Sequence, residues 1–383
     1  MRRNLIAVAA MLLLIAIFSM VVVDYLPANR ELSPLQKEKL YMIDSKHLSK
    51  MSGVGYIVHH GEVIFDKGNG MATEDKKNAS DLEYGVASLT KQFTAACIMQ
   101  LDEAGKLEIE DPLSKYFPEY EYGTQMNIRH LMCQRSGIAD FQVEMEDGQA
   151  MIICYMDDGP GVDIEPTNTS EENRKIIRDY VFSRELLFKP GAEYDYSDSN
   201  FLLLAEIVEK ASGEEFHDYV RKHIFEPLGM KHSAFIDDND FDKDVIVQAD
   251  HSEFEGDYYD YKGVEFGCGD LMTTPQDLYL WYRGFVSGKV VNQDSYRQMT
   301  DNYSKEDELG YGFGLMISDV SESKVIYHYG WIPSSYSSMI YIPEYDYFQV
   351  LLGNNEKGDP HRMAARMAYH FGEIIGLKLV DID

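Results

Sequence analysis

Basic residues are scarce in this chain: 35 lysines and arginines stand against 65 aspartates and glutamates, a formal charge of -30 over 383 residues. An acidic surface of this kind repels nucleic-acid phosphates and anionic lipid, so no nucleic-acid partner is expected and the charge is read as serving solubility. Cysteine is also rare. Cys97, Cys133, Cys154 and Cys268 match no zinc spacing, and in an oxidising compartment they would permit three pairings, none of which can be assigned. Gly-x-Ser-x-Gly, His-x-x-x-His and His-Glu-x-x-His are all absent, which excludes the nucleophile elbow of α/β-hydrolases and a metallo-hydrolase helix. Neither a cofactor nor a metal is implied. Repeats and low-complexity tracts are missing too, and 45% apolar with 12% aromatic residues excludes a disordered chain.

One long apolar run is present. Arg2 and Arg3 precede Leu5 to Val23, in which Ser19 is the only polar side chain. That is nearly a bilayer's worth of helix, and Val21-Val22-Val23-Asp24 offers no small-residue cleavage site. Residues 1–23 are therefore expected to be an uncleaved transmembrane anchor, with the two arginines cytoplasmic and the remainder outside; secretion after cleavage is the alternative. Residues 24–53 read as a linker helix opened by Ser33-Pro34 and stopped by Gly53, and residues 54–377 as the globular domain.

Within that domain short apolar runs predict strands at Tyr56 to His59 and Glu62 to Asp66, joined by a turn at His60-Gly61. Strands return at Lys324 to Tyr329, Tyr336 to Ile342 and Phe348 to Gly353, followed by a helix from about Asp359 to Ile375. Short-linked strands pair antiparallel, so the expected fold is α/β (α+β): one antiparallel sheet built from both chain ends, flanked by helices, with a mainly helical second lobe. Asp111 to Thr274 supplies that lobe, and Glu144 to Asn173, acidic and broken by Gly159-Pro160-Gly161, reads as a surface insertion. Thr274-Pro275-Gln276-Asp277 signals a further helix start.

Chemistry concentrates in three segments. Ser88-Leu89-Thr90-Lys91 opens a run to Ala104 whose Phe93, Ala96, Cys97, Leu101 and Ala104 recur at helical spacing, so an amphipathic helix is expected, with Cys97 buried and free. Residues three apart on a helix share a face, which lets the Lys91 amine reach the Ser88 hydroxyl. A serine becomes a nucleophile when a base takes its proton, and a helix start favours negative charge there. The competing reading is an N-cap serine and a solvated lysine. Tyr194-Asp195-Tyr196-Ser197-Asp198-Ser199-Asn200 forms a polar loop before the apolar helix Phe201 to Ala211, which ends at Gly213. From it Tyr196 could relay a proton, against the competing reading of a packed aromatic. Asp198 and Asn200 read equally well as turn residues. His328-Tyr329-Gly330-Trp331 sits at a strand edge, where the glycine permits close backbone approach.

In company, Ser-x-x-Lys, a variant of Tyr-x-Asn and His-x-Gly resemble the ordered motifs of serine hydrolases related to class C β-lactamases and penicillin-binding proteins. The likeness runs from about Val54 to Leu377 through Leu107 to Pro118, Ile128-Arg129-His130-Leu131, Ser136-Gly137-Ile138, Pro190-Gly191, Glu226-Pro227-Leu228-Gly229-Met230 and Gly269-Asp270-Leu271-Met272-Thr273-Thr274. The resemblance implies Ser88 as acylated nucleophile, Lys91 as its proton partner, Tyr196 as general base and acid, and His328 in place of the third motif's basic residue. It implies an oxyanion site between the N–H groups of Ser88 and Trp331, past Gly330, with Asp198 facing substrate. Asp198 stands where the family often has asparagine, Tyr329 where it has threonine or serine, and Gln134-Arg135-Ser136-Gly137 where it has His-Thr-Ser-Gly. The Asp198 departure weighs against amide recognition at that point and the Tyr329 departure against β-lactam hydrolysis, while the third carries no catalytic meaning. The expected activity is acyl-enzyme hydrolysis of a small peptide, amide or ester, cell-wall derived among other sources. The alternative is a binding or sensing module for cell-wall peptides that has lost turnover.

Overall fold

Alternation of side chains along five long strands sorts their apolar residues onto two faces and so fixes three layers. Val54, Tyr56, Val58, Ile326, Met339, Tyr341, Phe348, Val350 and Leu352 face one core, whereas Ile57, Phe65, Tyr327, Ile340, Ile342, Tyr347 and Leu351 face another. The computed structural model describes residues 32–146, 149–154, 160–238, 261–304, 310–318, 323–332, 335–354 and 360–375. The expected anchor, residues 1–23, lies outside them. No helix among the described residues is long and apolar enough to cross a membrane.

Helix α1 (Pro34–Leu48) precedes strands β1 (Gly53–His59), β2 (Glu62–Asn69) and β3 (Tyr84–Gly85), and helices α2 (Thr90–Glu103) and α3 (Ile128–Met132). Next come β4 (Phe141–Glu146), β5 (Gln149–Cys154), β6 (Val162–Ile164), α4 (Ser170–Phe182), α5 (Asp198–Ser212), β7 (Ala234–Phe235) and β8 (Leu271–Thr273). The chain closes with α6 (Pro275–Val286), α7 (Gln293–Met299), β9 (Gly310–Tyr311), β10 (Met316–Ser318), β11 (Val325–Ile332), β12 (Ser335–Ile342), β13 (Tyr347–Gly353) and α8 (Pro360–Ile375).

The main sheet has seven strands in the order β2-β1-β13-β12-β11-β10-β9, every neighbour antiparallel. Both chain ends build it, as expected. The register Val54↔Leu352 and Tyr56↔Val350 places apolar pairs of β1 and β13 against the helical lobe. On the opposite face α1 and α8 cover the sheet with Leu40, Leu48, Met363, Met367 and Phe371. Helix α1 begins with a reciprocal cap between Ser33 and Gln36. It packs on the sheet and on α8, so the segment read as a linker belongs partly to the folded body.

Two expectations need correction. The stretch from Glu144 to Asn173 holds more than a surface insertion: β4, β5 and β6 form a separate three-stranded sheet, whose Ala150, Ile152, Cys154 and Ile164 join the helical core. Its period-two signal is masked by the unbroken run Ala150-Met151-Ile152-Ile153-Cys154. The second correction concerns α2, which is buried around its circumference from Thr90 to Met99 rather than amphipathic. All four cysteines are buried thiols outside any disulfide.

Candidate active site

Ser88 belongs to a single 3-10 turn, Ala87–Leu89, that feeds directly into α2. The turn is held from beneath by the sheet: Ser337 Oγ donates to the Val86 carbonyl at 2.6 Å and Ser335 Oγ to that of Gly85 at 3.2 Å. Ala87 has φ +48°, a left-handed conformation that costs an alanine on the order of 1–3 kcal/mol. Ser88 beside it is half-buried and therefore reachable.

Lys91, one turn along, is fully buried. Its Nζ donates to Ser88 Oγ at 2.8 Å and to the Cys268 carbonyl at 2.8 Å, and lies 2.5 Å from Asp198 Oδ1. Burial opposes the lysine charge, but the Asp198 carboxylate overrides it and raises the amine above its ordinary pKa. Lys91 is accordingly an ammonium in this state, bound to the serine as a donor. Asp140, a residue the sequence did not single out, accepts from the Asp198 N–H at 2.6 Å. Burial and then the Asp198 charge push the Asp140 carboxyl well above the usual carboxylate range.

Tyr196 reaches the same hydroxyl, its phenol hydrogen-bonded with Ser88 and its ring centroid 5.0 Å from Lys91 Nζ. Burial and the nearby Asp198 carboxylate raise this phenol well above its usual pKa, so Tyr196 is neutral. The loop that carries it is fastened by the segment Gln134-Arg135-Ser136, to which the sequence lent no role. Gln134 Oε1 accepts from Ser197 N at 3.2 Å and from Asn200 Nδ2 at 2.6 Å, while Ser136 Oγ donates to Asn200 Oδ1 at 2.6 Å. Arg135 donates to the Gly191 carbonyl at 2.9 Å. Gln134 itself has φ +60°, a second non-glycine residue in left-handed geometry beside the site.

Strand β11 closes the other wall. A Cβ on Gly330 would stand 2.6 Å from the Val86 carbonyl and 2.8 Å from Ser88 N, so only glycine lets the strand run this close to the serine. Trp331 follows, its side chain 53% exposed at the rim. His328 lies on the Ser88 side, its ring centroid 6.1 Å from that of Tyr196. Its Nδ1–H donates to the Tyr329 carbonyl at 2.7 Å, which leaves Nε2 to accept from the buried Tyr311 hydroxyl at 3.1 Å. Burial, and then the Lys91 charge, lower His328 to about 3, so it carries no positive charge. Tyr311 is the other residue missed in the sequence, for want of any motif around it. Strand alternation turns Tyr329 to the far face, where its ring lies 4.4 Å from that of His361. It therefore brings neither bulk nor a small hydroxyl to the serine.

Three segments far apart in the chain thus converge on one alcohol. Ser88, Lys91, Tyr196, Asp198, His328 and Gly330 come together where the sheet meets the helical lobe. No group of acids, histidines and cysteines among the described residues could hold a metal ion.

Residues 46–372 match the family model described as Beta-lactamase. The Bacillus subtilis (strain 168) protein PbpX is 30% identical over 280 residues, covering 71% of this chain and 63% of PbpX. The Staphylococcus aureus (strain MW2) protein flp is 27% identical over 314 residues, covering 78% of this chain and 58% of flp. The chain thus spans less than two thirds of the length of these curated relatives. The D-amino acid amidase of Ochrobactrum anthropi SV3, solved with L-phenylalanine amide, superposes with a TM-score of 0.71 at 21% identity, covering 89% of this chain and 98% of the amidase. With the motifs in order, the fold shared and more than half of its length matched, the chain belongs to the beta-lactamase family.

Proposed function

We propose that this protein is an extracytoplasmic acyl-serine hydrolase, anchored through residues 5–23, that opens an ester or amide bond by way of an acyl-enzyme at Ser88. The observation that carries this reading is the shared hydrogen bonding of one half-buried hydroxyl by the Lys91 ammonium at 2.8 Å and the Tyr196 phenol. Ser88 Oγ attacks the acyl carbon. As its O–H bond breaks, the proton passes to the Tyr196 oxygen, and the proton that Tyr196 already holds goes to the departing nitrogen or oxygen. A neutral tyrosine suffices for this exchange, and the Lys91 ammonium stabilises the alkoxide character that develops on Ser88. The carbonyl oxygen, turning anionic, is received by the N–H groups of Ser88 and Trp331. Water then repeats the sequence in reverse to release the acid.

Charge in the cleft narrows the substrate. A free carboxylate on the substrate would call for a cation, and His328 offers none. Esters and amides lacking that carboxylate are therefore favoured over β-lactams and D,D-carboxypeptides. The amide bound in the amidase neighbour is consistent with this preference.

One observation favours a second reading, a binding module without turnover: Asp198 holds Lys91 protonated and so removes it as a resting base. Turnover of a panel of short-chain esters and D-amino-acid amides separates the two. Product formation that Ser88→Ala lowers by about a thousandfold or more supports hydrolysis. Saturable ligand binding that survives Ser88→Ala, with no product by mass spectrometry, supports the module.

A further inference from the structure

Helix α1 presents an outward face whose chemistry differs from the rest of the molecule. With 3.6 residues per turn, Leu35, Lys39, Met42 and Lys46 fall on one stripe, opposite the buried Leu40, Asp44 and Leu48. Leu35 is 74% exposed and Met42 67%, the largest values among the exposed apolar side chains. Lys39, Lys46 and Lys50 are exposed around them, with Glu38 the one acid on that face. A locally basic, apolar stripe on a chain of net charge -30 is poorly explained by solubility. The match to the family model begins at residue 46, within the last turn of α1.

We infer that this face of α1 lies on an anionic lipid bilayer, with Leu35 and Met42 entering the headgroup region and Lys39, Lys46 and Lys50 meeting lipid phosphates. Exposed leucine and methionine side chains can enter the headgroup region while lysines beside them reach the lipid phosphates. Each lysine near an anionic surface strengthens binding roughly fivefold. The acidic remainder of the protein does not cancel this attraction, because at physiological salt charges beyond about 8 Å are screened. Chain length allows the placement: ten residues connect Val23 to Pro34 and reach at most about 35 Å, so an anchor at residues 5–23 would hold α1 within one domain's width of the membrane. Docking there would fix the orientation of the whole domain, since α1 packs directly on α8 and the sheet. The inference draws on the proposed anchor for proximity, and its test reads the two separately.

The test uses the full chain carrying Met42→Cys, labelled with an environment-sensitive fluorophore; the four native cysteines are buried. It is mixed with vesicles of phosphatidylcholine, with or without phosphatidylglycerol, that contain nitroxide-labelled lipid. The expected result is quenching of about twofold or more on the anionic vesicles. Lys39→Gln/Lys46→Gln should return it to the level seen on phosphatidylcholine, while hydrolysis of a soluble ester is unchanged. A label at Arg297, on α7 and exposed, should stay unquenched. Equal intensity at position 42 on both lipids overturns the inference. So does a shielded signal in detergent that lipid does not change, which would mean that residues of the chain itself cover the face. Release of the chain by alkaline carbonate would refute the anchor alone and leave the quenching result standing.

Discussion

Asp198 decides the protonation of the site. Its carboxylate, 2.5 Å from Lys91, holds the amine charged against the cost of burial. Asp198→Asn removes that support, so burial dominates and Lys91 loses its proton at lower pH. The alkaline limb of the pH profile of kcat/KM should then move down by one pH unit or more, roughly. A profile that keeps its limb would show that Lys91 does not titrate through Asp198. His328 works with the opposite sign. Lowered to about 3 in the fold from an ordinary value of 6.5, it leaves the unfolded chain holding more protons between those values. The stability it contributes is intact above pH 6.5 and is lost as pH falls toward 3; His59, lowered to about 4 chiefly by burial, acts alike. Thermal unfolding followed from pH 7 to pH 4 should show a falling midpoint that His59→Gln partly restores. Gly330→Ala tests the wall itself: a methyl 2.6 Å from the Val86 carbonyl must push β11 off the serine. Overpacking of this kind costs about 1–3 kcal/mol, and activity should fall about a hundredfold or more.

At the scale of elements, Asp44 marks the seat of α1. Burial raises its carboxyl to about 8 from 3.8, so the folded state holds the extra proton and stability declines as pH rises from about 4 to 8. Asp44→Asn should flatten that decline and raise the unfolding midpoint at pH 8, by a free energy of about 2 kcal/mol; an unchanged pH slope would place the titration elsewhere. Which elements could be read in the sequence follows from where their signals lie. The strands at both chain ends declared themselves through apolar runs and the His60-Gly61 turn, and α6 through Thr274-Pro275. Helix α2 was placed correctly but not its burial. Thr90, Gln92 and Thr94 are polar, yet Thr90 Oγ1 donates to the Ala87 carbonyl, Thr94 Oγ1 to that of Gly267, and Trp281 Nε1 to Gln92. Partners up to 189 residues away engage those side chains, which no local pattern reveals. Tyr311 and the role of Gln134 are hidden for the same reason, since each acts on another segment of the chain. Ser88, Lys91 and Tyr196 stood out because their spacing is local to short motifs.

For the whole molecule, a seven-stranded sheet shared by both chain ends ties the domain together without a covalent link. Strands β1 and β13 pair across some 290 residues of intervening chain, so closing the sheet completes both walls of the cleft. The four cysteines are buried thiols and supply no cross-link. Reducing agent should therefore leave the unfolding midpoint unchanged, and a drop of several degrees would reveal a disulfide. The convergence of Ser88, Lys91 and Tyr196 on one reaction is tested most directly by intact-protein mass spectrometry after exposure to a fluorophosphonate, with the modified peptide sequenced. One adduct per chain on Ser88, absent from Ser88→Ala and slowed in Tyr196→Phe, is expected. A folded protein that stays unlabelled, or takes the label on another residue, would contradict it.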